Sequence, residues 1–424
     1  MNINNFKFII NSGCSYGQMG ESIKHPIDSG IYDNLHESIK NKIGEDWFIS
    51  DDNVVIIDVS LSSMGSEWIA DSTIHTINYL LNIGVNKENI YCFIEWSQWS
   101  RIVLEPFTYT DVTTDLSFSD RKNFNLQQIG KNQPNEYLIE KFKGLGIVQC
   151  NEMHNVGKIG DMIYINPTHT YFENPSPDLE MFLTKSREIE RSIPEEKKVK
   201  SYFDNILRTQ FYLQSQQISY NFCFMQGTFT SWKEEDYGYS QWPESNHYNA
   251  FTIIQDNNIV VNKLFDSYMT SEFDIENVVP SIKTQFNLIN WDKVWIYESD
   301  NFRRGGFDEW CIDSFDFGSM VQPDDVRYFI LENNEFDSHR TITGFGYHPN
   351  VNLYKLLWND IAKDCGFFKM NQKWCKEIEE LFWDDINSNK PTEHGLTLSK
   401  KYLKEKTKYL DAEIDKENGT INIL

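Results

Sequence analysis

The 424-residue chain has no window approaching the about 20 apolar residues that a membrane-spanning helix requires. Its first residues lack the basic segment, apolar stretch and small-residue cleavage site of a secretory signal, so export through a cleaved leader is not expected. The seven cysteines (Cys14, Cys92, Cys150, Cys223, Cys311, Cys365 and Cys375) are odd in number and contain no Cys-x-x-Cys pair. That pattern gives no zinc signature and fits free thiols in a reducing, cytoplasmic setting. The nine histidines contain no His-x-x-x-His spacing, and neither Gly-x-Gly-x-x-Gly nor Gly-Lys-Ser/Thr occurs. Positive charge is also short: 39 Lys and Arg against 63 Asp and Glu leave a formal net charge of -24. Such a balance disfavours nonspecific binding to nucleic acid or to an anionic membrane, and favours a neutral or cationic substrate. Internal repeats and low-complexity linkers are absent.

Aromatic residues are abundant, at 15%, and with a mean hydropathy of -0.52 the chain reads as a soluble globular protein with two to three domains' worth of residues. The first apolar run, Phe6 to Ile10, is followed at once by Asn11-Ser12-Gly13-Cys14-Ser15-Tyr16-Gly17. A buried strand that ends in a tight glycine-containing turn can hold a serine oxygen clear of the backbone. Ser15 is that oxygen's natural owner, although a capping serine in a plain βα turn has the same local pattern. Val54 to Val59 reads as a second strand and Ile90 to Ile94 as a third. Between them the apolar spacing predicts a helix from Glu67 to about Asn82, and residues 31–43 suggest another. Strand and helix alternating over short connections predict a parallel sheet covered on both faces. Ligands bind beyond the carboxyl ends of such strands, so the polar turns at Ser15, Gly65 and Ser97 are expected to gather at one edge.

Regularity lapses over about 103–197, which reads as an insertion over the sheet edge. A long helix over 198–218 and a fourth strand from Tyr220 to Met225 follow. Residues 228–322 read as a second, aromatic-rich insertion carrying the acidic cluster Asp308, Glu309, Asp313 and Asp316. Paired carboxylates there would suit acid–base chemistry or a hard cation, but a solvated acidic rim has the same composition. The chain then gives a buried element at Val326 to Leu331, the segment Thr341 to Pro349, and a helix from about Val351 to Ala362. The expected organisation is one α/β domain over 1–364, with a helical C-terminal appendage over 365–424.

The order and local form of these motifs resemble the SGNH (GDSL-type) hydrolases, in particular a branch whose nucleophile turn reads Gly-Cys-Ser-Tyr, here Gly13-Cys14-Ser15-Tyr16. The resemblance covers about 5–105, 198–227 and 340–364. It implies a three-layer, flavodoxin-like parallel sheet and an esterase mechanism in which Ser15 attacks an acyl carbon and His348 serves as base. Met64-Gly65-Ser66 resembles the second motif, so the oxyanion donors implied are the Ser15 and Gly65 N–H groups with Ser97 or Gln98. Arg101 fits the same branch, and Tyr16, Arg101 and Asn350 are the implied binding residues. No metal or organic cofactor is implied. The substrate class implied is a small-molecule or glycan ester, including O-acetyl groups on carbohydrate.

Gly346-Tyr347-His348-Pro349-Asn350 matches the family's last motif on the histidine side, but Phe345 stands where that motif has Asp. The imidazole would then be held by a carbonyl or by another acid, such as Glu335 or Asp337. The same departure supports a second reading, a hydrolase-like fold reused as a binding or structural protein. Chains of this branch are often encoded by tailed phages, which implies viral partners or a virion-associated role.

Overall fold

The structure, a computed structural model, describes residues 1–14, 49–51, 53–61, 64–97, 101–103, 124–131, 134–149, 156–167, 177–224, 254–255, 258–260, 280–295, 351–373, 375–376, 414–415 and 420–422. Its centre is a six-stranded sheet. Five strands, β1 (Lys7–Ser12), β2 (Val54–Asp58), β3 (Ile90–Trp96), β8 (Ser219–Phe224) and β11 (Val294–Trp295), are parallel in the spatial order β2-β1-β3-β8-β11. β4 (Asn125–Gln128) adds an antiparallel edge beside β2. Parallel strands buried on both faces need apolar side chains in succession. Every residue of β2 and β3 is buried, as are all of β1 beyond Lys7. β1 pairs with β2 on one side and β3 on the other, Asn11 lying against Asp58 and Phe93. The direction of winding therefore reverses between β1 and β3, the position where doubly wound sheets open a crevice.

Helices cover both faces of this sheet, giving a three-layer α/β arrangement. One face carries α1 (Ser66–Asn82) and α4 (Glu195–Gln216). Phe8, Ile10, Val55, Ile57, Cys92, Ile94 and Phe222 point to that side and join Trp68, Ile69, Ile77, Tyr202, Phe203 and Ile206 in one core. α5 (Pro280–Leu288) packs outside α4, with the Phe203 and Phe286 rings 6.1 Å apart and edge-on. The opposite face carries α6 (Val351–Cys365), whose Trp358 meets Phe93 at 4.9 Å. Just past α6, the Phe367 ring stacks on Tyr91 at 5.4 Å and the Phe367 carbonyl accepts from Lys7 Nζ at 2.8 Å.

Two smaller sheets complete the described residues. β5 (Ile147–Gln149), β6 (Val156–Ile159) and β7 (Met162–Ile165) form an antiparallel meander preceded by α2 (Glu136–Phe142) and followed by α3 (Pro177–Ser192). The meander leans on α1: a side chain at Gly157 would come within 2.5 Å of the Trp68 ring. β9 (Ile254–Gln255) and β10 (Asn258–Val260) pair with β13 (Thr420–Asn422), which also pairs with β12 (Ile414–Asp415).

Both stretches read as insertions contribute to the main sheet. β4 comes from 103–197, while α5 and β11 come from 228–322, so residues 280–295 sit within the doubly wound unit. The reason they are hard to read is length: β11 has two residues and β4 has four, too few to express a period. The expected helix over 31–43 and the buried element at Val326 to Leu331 lie outside the described residues, as does most of the expected C-terminal helical segment. No described helix is long and apolar enough to cross a membrane.

Candidate functional site

The carboxyl ends of β1, β2 and β3 carry polar residues directly after their apolar runs. Ladder bonding continues past the strands, with Val59 N donating to Asn11 O at 2.9 Å and Leu61 N to Gly13 O at 3.1 Å. This fixes the backbone of β1 up to Gly13, and Cys14 beyond it is fully buried. Side chains alternate at this edge as strand geometry demands. Ser12 turns to the α1 side, where its hydroxyl lies 3.2 Å from Ser72 Oγ. Asn11 turns to the α6 side, where its Nδ2 donates to Asp58 Oδ1 at 3.2 Å, and Ser60 N donates to the same oxygen at 3.0 Å.

α1 begins at this edge with Gly65 as its N-cap, and no side chain caps it. The first-turn N–H groups of a helix have no intrahelical partners and carry the positive end of its dipole. Gly65 has an ordinary φ of -91°, so its dihedral does not demand glycine. Space does: a Cβ there would lie 2.0 Å from the Arg101 carbonyl oxygen and 2.9 Å from its carbon. The turns after β2 and β3 are thus in direct backbone contact. Glu67, in the first turn of α1, ties this junction together. Its Oε2 accepts from Val103 N at 3.4 Å and its Oε1 accepts from the Ser201 hydroxyl at 3.3 Å. Ser66 Oγ accepts from Asn205 Nδ2 at 3.0 Å, so the start of α1 is also clamped to α4.

Four residues at or just past the end of β3 have buried polar atoms with no hydrogen-bond partner: Glu95 (both carboxyl oxygens), Trp96 (Nε1), Ser97 (Oγ) and Arg101 (Nε and Nη1). Glu95 is 0% exposed and Ser97 2%. Burial, and secondarily the negative charge of Asp58, pushes the Glu95 carboxyl well above the ordinary carboxylate range. Each unsatisfied buried polar atom costs about 1–3 kcal/mol, and such costs concentrate where a ligand or reacting group is to be met. Cys223 of β8, also buried, stands beside Glu95 in register.

Of the residues singled out from sequence, the structure describes Gly65, Ser97 and Arg101, and it brings the Gly65 and Arg101 turns together. Ser15, Tyr16, Gln98, His348 and Asn350 lie outside the described residues, as do Phe345, Glu335, Asp337 and the acids from Asp308 to Asp316. Sequence reasoning passed over Asn11, Asp58 and Glu95. The signal that marks them is a polar residue closing an apolar run, since such a residue is buried by its strand and faces the crevice.

Among the described residues no group of three His, Cys, Asp or Glu side chains is arranged to hold a metal ion. A separate open cavity of about 500 Å³ lies beside β11 and α6, lined by Asn221, Trp295, Asp360 and Asp364 among others. Its buried amide is already engaged, Asn221 donating to Asp364 Oδ2 at 2.7 Å and accepting from the Tyr91 hydroxyl at 2.9 Å. Comparison of the chain with models of protein families, with curated proteins and with solved structures gives no match.

Proposed function

We propose that the chain is a serine ester hydrolase of the SGNH type, with Ser15 as nucleophile, His348 as general base, and Gly65 N–H and the Ser97 hydroxyl among the oxyanion donors. The observation that carries this reading is the backbone contact between Gly65 and Arg101 at the crevice between β1 and β3. It sets the uncapped start of α1 beside the end of β3, and Ser15 is one peptide beyond Cys14 at the end of β1. A nucleophile between a helix start and unpartnered side-chain donors has what acyl transfer needs, since the charge that develops on the carbonyl oxygen is met by groups already in place. Ser15 Oγ bonds to the acyl carbon while His348 takes its proton. The carbon–oxygen bond to the alcohol then breaks and the alcohol leaves with that proton. Water repeats the sequence to release the acid.

The substrate class that suits this chemistry and the net charge of -24 is an uncharged ester, with O-acetylated carbohydrate as the leading form. Hydrolysis of p-nitrophenyl acetate and of an acetylated sugar by the wild type and Ser15→Ala tests it. The expected result is hydrolysis that falls by about 10³-fold or more in the variant. Folded wild-type protein that hydrolyses neither ester would favour the second reading, a hydrolase-like fold serving as a binding or structural protein, which Phe345 in the acid position supports.

A further inference from the structure

Arg101 lies at the junction of the turns after β2 and β3, and its guanidinium has no hydrogen-bond or ion-pair partner among the described residues. Its Nε and Nη1 are buried as well. Burying a charge is expensive unless a counter-charge meets it. The Glu67 carboxylate, at the same junction, does not serve: its Oε2 accepts from Val103 N at 3.4 Å and its Oε1 from the Ser201 hydroxyl at 3.3 Å.

The neighbours of this guanidinium are donors too. The Arg101 carbonyl abuts Gly65, the N-cap of α1, so the guanidinium lies within one side-chain length of that helix start. α1 has 17 residues and no side-chain cap, and its first turn, Ser66 to Trp68, is buried. The free N–H groups of that turn, and the positive end of the dipole, are therefore shielded from water. Ser97, four residues before Arg101 and 2% exposed, adds a hydroxyl without a partner. In a chain with a net charge of -24, positive charge and hydrogen-bond donors from two separate turns are gathered at one point of the crevice edge.

We propose that this junction is a carboxylate-binding site, with the Arg101 guanidinium as counter-charge and the α1 start and Ser97 hydroxyl as further donors, and that it holds the acid which ester hydrolysis releases. The second half of this statement rests on the hydrolase reading, and the first does not. A planar guanidinium matches a planar carboxylate, and its single charge matches a monoanion. An uncharged ester lacks the charge that the site selects, whereas its acid product carries it. The enzyme is therefore inhibited by its own product, acetate in the case of an O-acetyl substrate.

The test is saturation-transfer NMR of the full-length protein with acetate and with acetamide, the uncharged analogue. The wild type should bind acetate about tenfold or more tightly than acetamide. Arg101→Met, which keeps much of the aliphatic stem, should weaken acetate binding by about tenfold or more, and Arg101→Lys should recover part of the loss. A folded wild type that binds acetate no better than acetamide overturns the proposal, and this comparison stands even if the methionine variant fails to fold. A folded Arg101→Met that binds acetate as the wild type does overturns it equally. Labelling of the wild type by a fluorophosphonate serine probe, run in parallel, keeps the two readings apart. Labelling without acetate binding would retain the hydrolase and remove the site, while Arg101-dependent acetate binding without labelling would do the reverse.

Discussion

At the scale of single residues, Gly65 and Glu95 are held in place by opposite needs. Gly65 is required because a neighbouring backbone occupies the space of a side chain. Gly65→Ala drives a Cβ against the Arg101 carbonyl, an atom that cannot rotate away, so either the start of α1 or the turn after β3 must move. Overpacking of this kind costs about 1–3 kcal/mol, and urea denaturation should register that loss. Glu95 shows the reverse case, a side chain whose burial is unfavourable to its charged form. Its folded pKa lies above the unfolded value, so the native chain retains a proton that the unfolded chain releases. The associated stability is full at low pH and is lost as pH rises toward the folded pKa. As pH rises above the ordinary carboxyl pKa, the wild type should therefore lose stability relative to Glu95→Gln, measured as the urea midpoint of each. A wild type that gains on the variant as pH rises would contradict the assignment of Glu95 as a buried acid with a raised pKa. Gly65 was legible in the sequence from the small-residue turn after a strand. Glu95 was not, because one acid at the end of an apolar run looks the same whether its carboxyl group meets water, a cation or nothing.

At the scale of elements, α1 is the part on which the others bear. Its start is tied to α4 through Glu67 and Ser66, its Trp68 indole donates to Val59 O at 3.1 Å, and the Tyr164 ring of β7 meets Trp68 edge-on at 5.3 Å. A Cβ at Gly157 of the meander would lie 2.5 Å from the Trp68 ring, so Gly157→Ala should force the meander away from Trp68. The expected cost is again about 1–3 kcal/mol, accompanied by a change in tryptophan fluorescence of the native state, whereas an unchanged midpoint and spectrum would mean the meander docks elsewhere. β1, β2, β3, β8, α1, α4 and α6 follow from sequence because each is long enough to show a continuous apolar run or a helical spacing. α1 was expected from Glu67 to about Asn82 and spans Ser66–Asn82; the long helix expected over 198–218 spans Glu195–Gln216. β4, β11 and α5 owe their places to pairing and packing partners distant in sequence, and no local pattern announces them.

At the scale of the molecule, the strand order creates one crevice, between β1 and β3, and the polar ends of the first three strands converge beside it. That convergence was legible from three turns placed after three strands. The reversal of winding was not, because it depends on which side of β1 the third strand joins. The proposed hydrolase activity requires Ser15, one peptide past the buried Cys14, to be an activated nucleophile. The measurement that bears on it most directly is peptide mapping by mass spectrometry of the folded full-length protein after treatment with a fluorophosphonate. The account predicts a single covalent adduct on Ser15, absent from Ser15→Ala and strongly diminished in His348→Ala. A folded protein that forms no adduct, or one whose adduct lies on another serine, would contradict it.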